Sequence, residues 1–252
     1  VIHLAAMAGV RVSIEDPHLY FDVNLTGTLN LLDAARDHGV EGFVFASTSS
    51  AYGGTRQIPF VETDACDRPL APYPASKRAA EMLGHTYHHL YGLNFTALRF
   101  FSVYGPRGRP DMMAYKVLDN IFHGTEVPLY NKGQMHRDWT YVDDIVEGTI
   151  LAAECIDDGT AVNLGTMERI RVVDAVKMIL DYAGHDAEIR FLPDMPTGPL
   201  NRVADNSLAR RLMGWEPRVA FQDGVKRTMD WYFATKDRDL VQGVLEQMLT
   251  ER

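Results

Sequence analysis

The sequence predicts an α/β fold with a parallel sheet, and three observations predict it. Gly42-Phe43-Val44-Phe45-Ala46 is a short apolar run without polar alternation, the pattern of a strand covered on both faces. The run ends in a hydroxyl cluster, Ser47-Thr48-Ser49-Ser50. After a loop comes a helical stretch that opens with Tyr73-Pro74-Ala75-Ser76-Lys77, followed by a second strand-like run, Thr96-Ala97-Leu98-Arg99-Phe100.

Composition agrees with such a fold. With 252 residues, 46% hydrophobic and 23% charged, the chain can bury a sizeable core as one large domain or two lobes. A formal net charge of -9 argues against nucleic acid or an anionic membrane as partner, so any phosphate site must be a local cluster of arginines. Cys66 and Cys155 have no CxxC spacing and suit a reducing cytoplasm, and the histidines show no metal-binding spacing, so no metal is expected. No run is long enough to span a bilayer, and no signal-peptide pattern appears.

Taken in order, the chain opens in an apolar, strand-like run ending in Ala5-Ala6. Residues 15–38 show helical spacing through Leu19, Val23, Leu25, Leu29, Leu32 and Ala35, closed by Gly39; on spacing alone Asn24 is a solvated residue of that helix. The strand through Ala46 follows, then a Pro- and acid-rich loop over 53–72, long enough for a functional lid. The helix over 73–91 has Pro74 in its first turn, and its Met82, Tyr87, Leu90 and Tyr91 are expected mostly to pack. Asp143-Asp144 starts another helix, where acids suit exposed amides and the dipole, and Asn163-Leu164-Gly165 reads as a strand end. Helices over 171–182 and 221–234 and an amphipathic tail over 240–249 complete the pattern.

Tyr73 and Lys77 are four apart, so a helix places both on one face, looking back at the hydroxyls on the strand's carboxyl end. A phenol with a free pKa near 10 needs a neighbouring cation to act as a base at neutral pH, and Lys77 is placed to supply it. Tyr232 and Lys236 share the spacing but follow no buried strand with hydroxyls, and they read as amphipathic surface.

Ser47-Thr48, Tyr73 and Lys77, in that order, resemble the extended short-chain dehydrogenase/reductase family of NAD-dependent epimerases and dehydratases. Within it, the UDP-glucuronate 4-epimerase branch is most similar, through Val1-Ile2-His3-Leu4-Ala5-Ala6-Met7-Ala8-Gly9-Val10-Arg11, Leu98-Arg99-Phe100-Phe101-Ser102-Val103-Tyr104-Gly105-Pro106, Gly108-Arg109-Pro110-Asp111-Met112 and Arg137-Asp138-Trp139-Thr140-Tyr141-Val142-Asp143-Asp144. The resemblance implies a partial Rossmann-like, doubly wound NAD-binding domain over 1–106. It implies a smaller lobe over 107–252 that mainly binds UDP-sugar and returns some segments to the sheet. It implies catalysis by Thr48, Tyr73 and Lys77, and cofactor contacts from Leu4, Ala5, Ala6, Asn24, Ser47, Tyr73, Lys77 and Phe100. Substrate contacts fall to Ser49, Ser102, Arg109, Arg137 and Arg202. A homodimer formed through the helices over 15–38 and 73–91 is implied as well.

The glycine-rich turn of a dinucleotide-binding fold is not in this sequence, so the chain reads as a fragment lacking three strand-helix units, roughly 75 residues. Such a fragment alone is expected to be inactive. Ser102 stands where the uronate enzymes usually carry Thr, Met7 where they carry Gln, and Gly198-Pro199-Leu200 replaces the usual Gly-Asp-Val. Ser49-Ser50 replaces the Asp-Glu of the dehydratases, which argues against elimination of water. The implied activity is UDP-glucuronate/UDP-galacturonate 4-epimerisation through a transient 4-keto sugar. UDP-glucose 4-epimerisation and a noncatalytic nucleotide-sugar-binding protein are the alternatives.

Overall fold

The computed structural model describes residues 1–156, 158–193 and 201–235. In chain order the elements are β1 (Ile2–His3), α1 (Val12–Glu15), α2 (Pro17–Phe21), α3 (Gly27–Asp37), β2 (Gly42–Thr48), α4 (Pro72–Tyr91), β3 (Asn94–Phe100), β4 (Ser102–Tyr104) and α5 (Met113–His123). Then follow β5 (Val127–Leu129), β6 (His136–Arg137), β7 (Trp139–Tyr141), α6 (Val142–Cys155), β8 (Ala161–Leu164), β9 (Ile170–Arg171), α7 (Val172–Ala183), β10 (Ile189–Phe191), α8 (Ser207–Met213) and α9 (Phe221–Thr235).

The main sheet runs β1-β2-β3-β8, every pair parallel, with Phe45 opposite His3 on one side and Ala97 on the other. Alternation along the strands sends Phe43, Phe45, Phe95 and Ala97 into a core with α3 and α4. Val44 and Leu98 point the other way, into a core with α6 and α8. Helices on both faces explain why these strands are continuously apolar. β8 joins this sheet from the second half of the chain. The other strands, with α5, α7 and α9, surround a separate apolar core that includes Trp139, Tyr141, Val176 and Phe221.

Several elements differ from the sequence expectation. The helix over 15–38 is interrupted: Asp16 caps α2 by accepting from the Leu19 amide at 3.1 Å, and Pro17 occupies its first position. A π-helical turn, Asp22–Thr26, then leads into α3, and Gly39 at φ +63° ends it. In the 73–91 helix Tyr87 packs as expected, but Met82, Leu90 and Tyr91 are 58%, 60% and 50% exposed. Asp143 lies in the first turn of α6, whereas Asp144 is buried and accepts the Arg218 and Val219 amides at 3.1 Å each, tying α6 to the segment before α9. Tyr232 is core rather than surface, and Lys236, the tail over 240–249 and Gly198-Pro199-Leu200 lie outside the described residues. No described helix is long and apolar enough to cross a membrane.

α4 packs hard against the sheet. A Cβ added at Gly84 would lie 2.0 Å from the Phe95 ring, so only glycine permits this approach.

Candidate active site

The site is built where β2 ends. Thr48 keeps extended geometry, and its Oγ1 accepts the Ser50 amide at 3.1 Å, capping a short 3₁₀ turn over Ser49–Tyr52. This buried turn carries Ser49 and Ser50 beneath the loop. Tyr73, the second residue of α4, lies close enough to the Thr48 hydroxyl for that group to lower its pKa, so the strand end and the helix start meet as the sequence spacing requires.

Burial pushes the Tyr73 phenol above its ordinary pKa, while the Thr48 hydroxyl and the charges of Arg109 and Arg202 pull it down. The charges that most lower the phenol are those of these two arginines. Lys77 lies one turn on, its Nζ 4.1 Å from the centroid of the Phe45 ring. Burial lowers its pKa to about 8 against the opposing charge of Glu81. It is near enough to β1 that its charge, after burial, lowers the pKa of His3.

Asn24 is buried, not solvated, because the π turn directs it inward. Its Oδ1 accepts the Met7 amide at 2.8 Å, and its Nδ2 donates to Met7 O at 2.9 Å and Ser76 Oγ at 3.0 Å. Ser76 in turn donates to the Tyr73 carbonyl at 2.9 Å. One amide thereby fastens the segment after β1 to the first turn of α4. On that segment Leu4 is 61% exposed, Ala5 is exposed and Ala6 is half-buried.

A second network lies beneath. Glu81 accepts from Ser47 Oγ, from Arg99 Nε at 3.1 Å and Nη2 at 2.8 Å, and from Arg78 Nη1 at 2.9 Å. Arg99 spreads over the Tyr52 ring at 4.9 Å. Glu81, Ser76 and Asp138 thus shape the site, although the sequence reading assigned them no role. A charge inside the apolar run 96–100 is the local signal that a buried acid must face it.

The three arginines occupy different settings. Arg109 pairs with Asp111, its Nε at 2.9 Å from Oδ1. Arg137 donates to the His136 carbonyl at 2.7 Å, and burial followed by the nearby charge of Arg202 lowers its pKa to about 9. Arg202 donates from Nη1 to Ser50 Oγ at 3.0 Å. The buried Asp138 sets the spacing of the last two by accepting the amides of Thr166, Met167 and Ala204 at 2.7, 3.0 and 3.0 Å. Ser102 is half-buried, its amide donating to the Asp138 carbonyl at 2.9 Å. Phe100 packs against the core on the α6 and α8 side, while Ser47 is taken up by Glu81 on the other.

Residues 1–165 match the family model described as the NAD dependent epimerase/dehydratase family. The chain is 42% identical over 232 residues to a UDP-glucuronate 4-epimerase of Thermodesulfobacterium geofontis, covering 92% of this chain and 71% of that protein. Among solved structures, a UDP-glucuronic acid 4-epimerase from Bacillus cereus in complex with UDP-glucuronic acid and NAD superposes with a TM-score of 0.87 at 32% identity, over 93% of this chain and 76% of that one. A UDP-glucose 4-epimerase from Thermotoga maritima with UDP-glucose gives a TM-score of 0.89 at 33% identity, over 93% and 77%.

Proposed function

The chain belongs to the NAD dependent epimerase/dehydratase family, and from that premise we propose that it interconverts UDP-glucuronate and UDP-galacturonate by inverting C4 through a transient 4-keto sugar. The observation that carries the reading is the Thr48–Tyr73 hydroxyl pair at the carboxyl end of a parallel sheet, within the field of Arg109 and Arg202. Similarity to the uronate epimerases supports this choice of sugar. Ser102, smaller than the threonine usual in the uronate enzymes, is the feature that favours UDP-glucose 4-epimerisation as the second reading.

In this mechanism Tyr73 takes the proton of the sugar C4 hydroxyl, and Thr48 holds that hydroxyl in line with the phenol. Arg109 and Arg202 favour the phenolate that must form. Arg137 faces the diphosphate, for which a permanent planar cation is suited. Ser49 and Ser102 contact the sugar.

The residues present fit the nicotinamide-ribose end of NAD. Leu4 and Ala5 are exposed at the end of β1, where an apolar cover is needed, with the half-buried Ala6 next to them, and Ser47 and Phe100 would contribute from the ends of β2 and β3. Asn24 holds the segment after β1 against α4, and Lys77 would hold the ribose. NAD supplies, when bound, the acceptance and return of hydride. The glycine-rich turn that cradles a pyrophosphate is not among these residues.

The division into a cofactor part over 1–106 and a mainly substrate-binding part over 107–252 belongs to the same proposal, as does action in the cytoplasm. A homodimer would cover the apolar side chains exposed on α3 and α4, among them Leu31, Met82 and Leu90.

The test is proton NMR of UDP-glucuronate incubated with NAD and the protein expressed from its natural open reading frame. UDP-galacturonate should accumulate. Tyr73→Phe should keep UDP binding and lose turnover by a factor on the order of 10³. Conversion of UDP-glucose alone would overturn the uronate assignment, and unchanged turnover in the variant would overturn the base.

A further inference from the structure

Resting on the reading above, we propose that Arg202 is the specificity-determining residue of the sugar site, gripping an anionic substituent on the carbon next to the reacting carbinol rather than the diphosphate. The backbone holding it is well fixed. Its amide donates to the His136 carbonyl at 3.3 Å, Val203 O accepts the Phe60 amide at 2.8 Å, and the Ala204 amide reaches Asp138 at 3.0 Å.

From that anchor the guanidinium reaches the reaction turn. Arg202 Nη1 donates to Ser50 Oγ, the Ser50 amide donates to Thr48 Oγ1, and Thr48 is close enough to Tyr73 to lower the phenol's pKa. Its charge is therefore beside the atoms that must touch the C4 hydroxyl.

Its bonding is incomplete. Nε is buried without a partner, and among the described residues no carboxylate pairs with Arg202, whereas Arg99 has Glu81 and Arg109 has Asp111. A second cation is close by, because the charge of Arg202 lowers the pKa of Arg137. A buried guanidinium beside a like charge is costly unless an anion completes its shell.

The position selects which anion. In a hexopyranose C5 adjoins C4, while C1, which bears the diphosphate, lies across the ring. C3 and C5 both flank C4, and of the two only C5 bears a carboxylate in a uronate, so that substituent is the anion a cation beside the C4-binding hydroxyls is matched to. The planar fork matches a carboxylate there in shape and charge, and a hydroxymethyl group offers it no charge.

Calorimetric titration of UDP, UDP-glucose and UDP-glucuronate into the natural full-length protein with NAD tests this. Arg202→Gln should weaken UDP-glucuronate roughly ten- to a hundredfold and leave UDP and UDP-glucose within about twofold. Arg202→Lys should recover part of the loss. Ser50→Ala, which removes the anchor and not the charge, should weaken UDP-glucuronate selectively by a smaller factor and covers the case in which Arg202→Gln does not fold, as read by thermal unfolding.

Equal weakening of all three ligands puts the guanidinium on the diphosphate and overturns the proposal, as does no weakening of any. A wild-type protein that binds UDP-glucose but not UDP-glucuronate overturns the functional reading itself, and the inference with it. The two failures are distinct because one appears in the wild type and the other only in the variants.

Discussion

Glu81→Gln should cost about 3–5 kcal/mol of folding stability, the range for breaking a buried ion pair on one side. The substitution keeps the volume of the side chain and replaces a carboxylate that receives Ser47, Arg78 and both Nε and Nη2 of Arg99. The side chains of Glu81 and Arg99 are each 2% exposed, so the arginine left behind has no water to recover its charge solvation. Such a loss is a large share of a total stability of about 5–15 kcal/mol. With a urea slope of about 3 kcal/mol/M, the unfolding midpoint should fall by roughly 1–1.7 M. The pH dependence has a definite sign. Burial opposes the Glu81 charge, but its partners, Arg99 first, hold its pKa below the ordinary 4.5. The stabilisation is therefore present above about pH 4.5 and is lost as pH falls through the lower folded value. The Gln variant should lose this part of the acid sensitivity. Glu81→Leu with Arg99→Met should be more stable than Glu81→Gln, because both charges leave together. A midpoint shift worth less than about 1 kcal/mol, or a double variant no better than the single, would refute the reasoning.

Other substitutions probe other parts of the structure. Lys77→Met should raise stability by about 3 kcal/mol at most near pH 7, since the folded lysine titrates near 8 and the unfolded one near 10.5. The gain is full below about pH 8 and should fade as pH rises towards 10.5, which melting curves at several pH values would show. Gly84→Ala drives a methyl into the Phe95 ring and should lower stability by about 1–3 kcal/mol in calorimetry; an unchanged melting temperature would mean that α4 can shift freely. Asn24→Leu leaves the Met7 amide without its partner and should cost about 1–3 kcal/mol, and NAD binding should weaken with it. Retained NAD affinity would remove Asn24 from the cofactor wall.

Much of the sheet and the heart of the site is legible in the sequence because their signals are local. The apolar run at 42–46 is a strand because a parallel sheet covers both its faces, and Tyr73 and Lys77 share a face because a helix repeats every 3.6 residues. The hydroxyls follow because Thr48 is the last residue of that strand. Asn24 is different. Its spacing fits a solvated helix face, and only the π turn after Pro17 rotates it towards Met7 and Ser76. Met82, Leu90 and Tyr91 have the composition of packing residues, yet among the described residues they are at least half exposed on the far side of α4.

What the sequence determined by itself, then, is the run of the main strands and helices, with Thr48 at a strand end and Tyr73 and Lys77 one turn apart on α4, since each depends on backbone periodicity over a few residues. What only the tertiary structure decided is who partners whom over distance. Glu81 meets Arg99 across 18 positions, Ser50 meets Arg202 across 152, and the charges that lower the phenol's pKa come from Arg109 and Arg202, both distant from Tyr73 in sequence. The reason is physical: a side-chain charge is satisfied by whatever the packed fold brings within about 3 Å, and no local repeat encodes that neighbour.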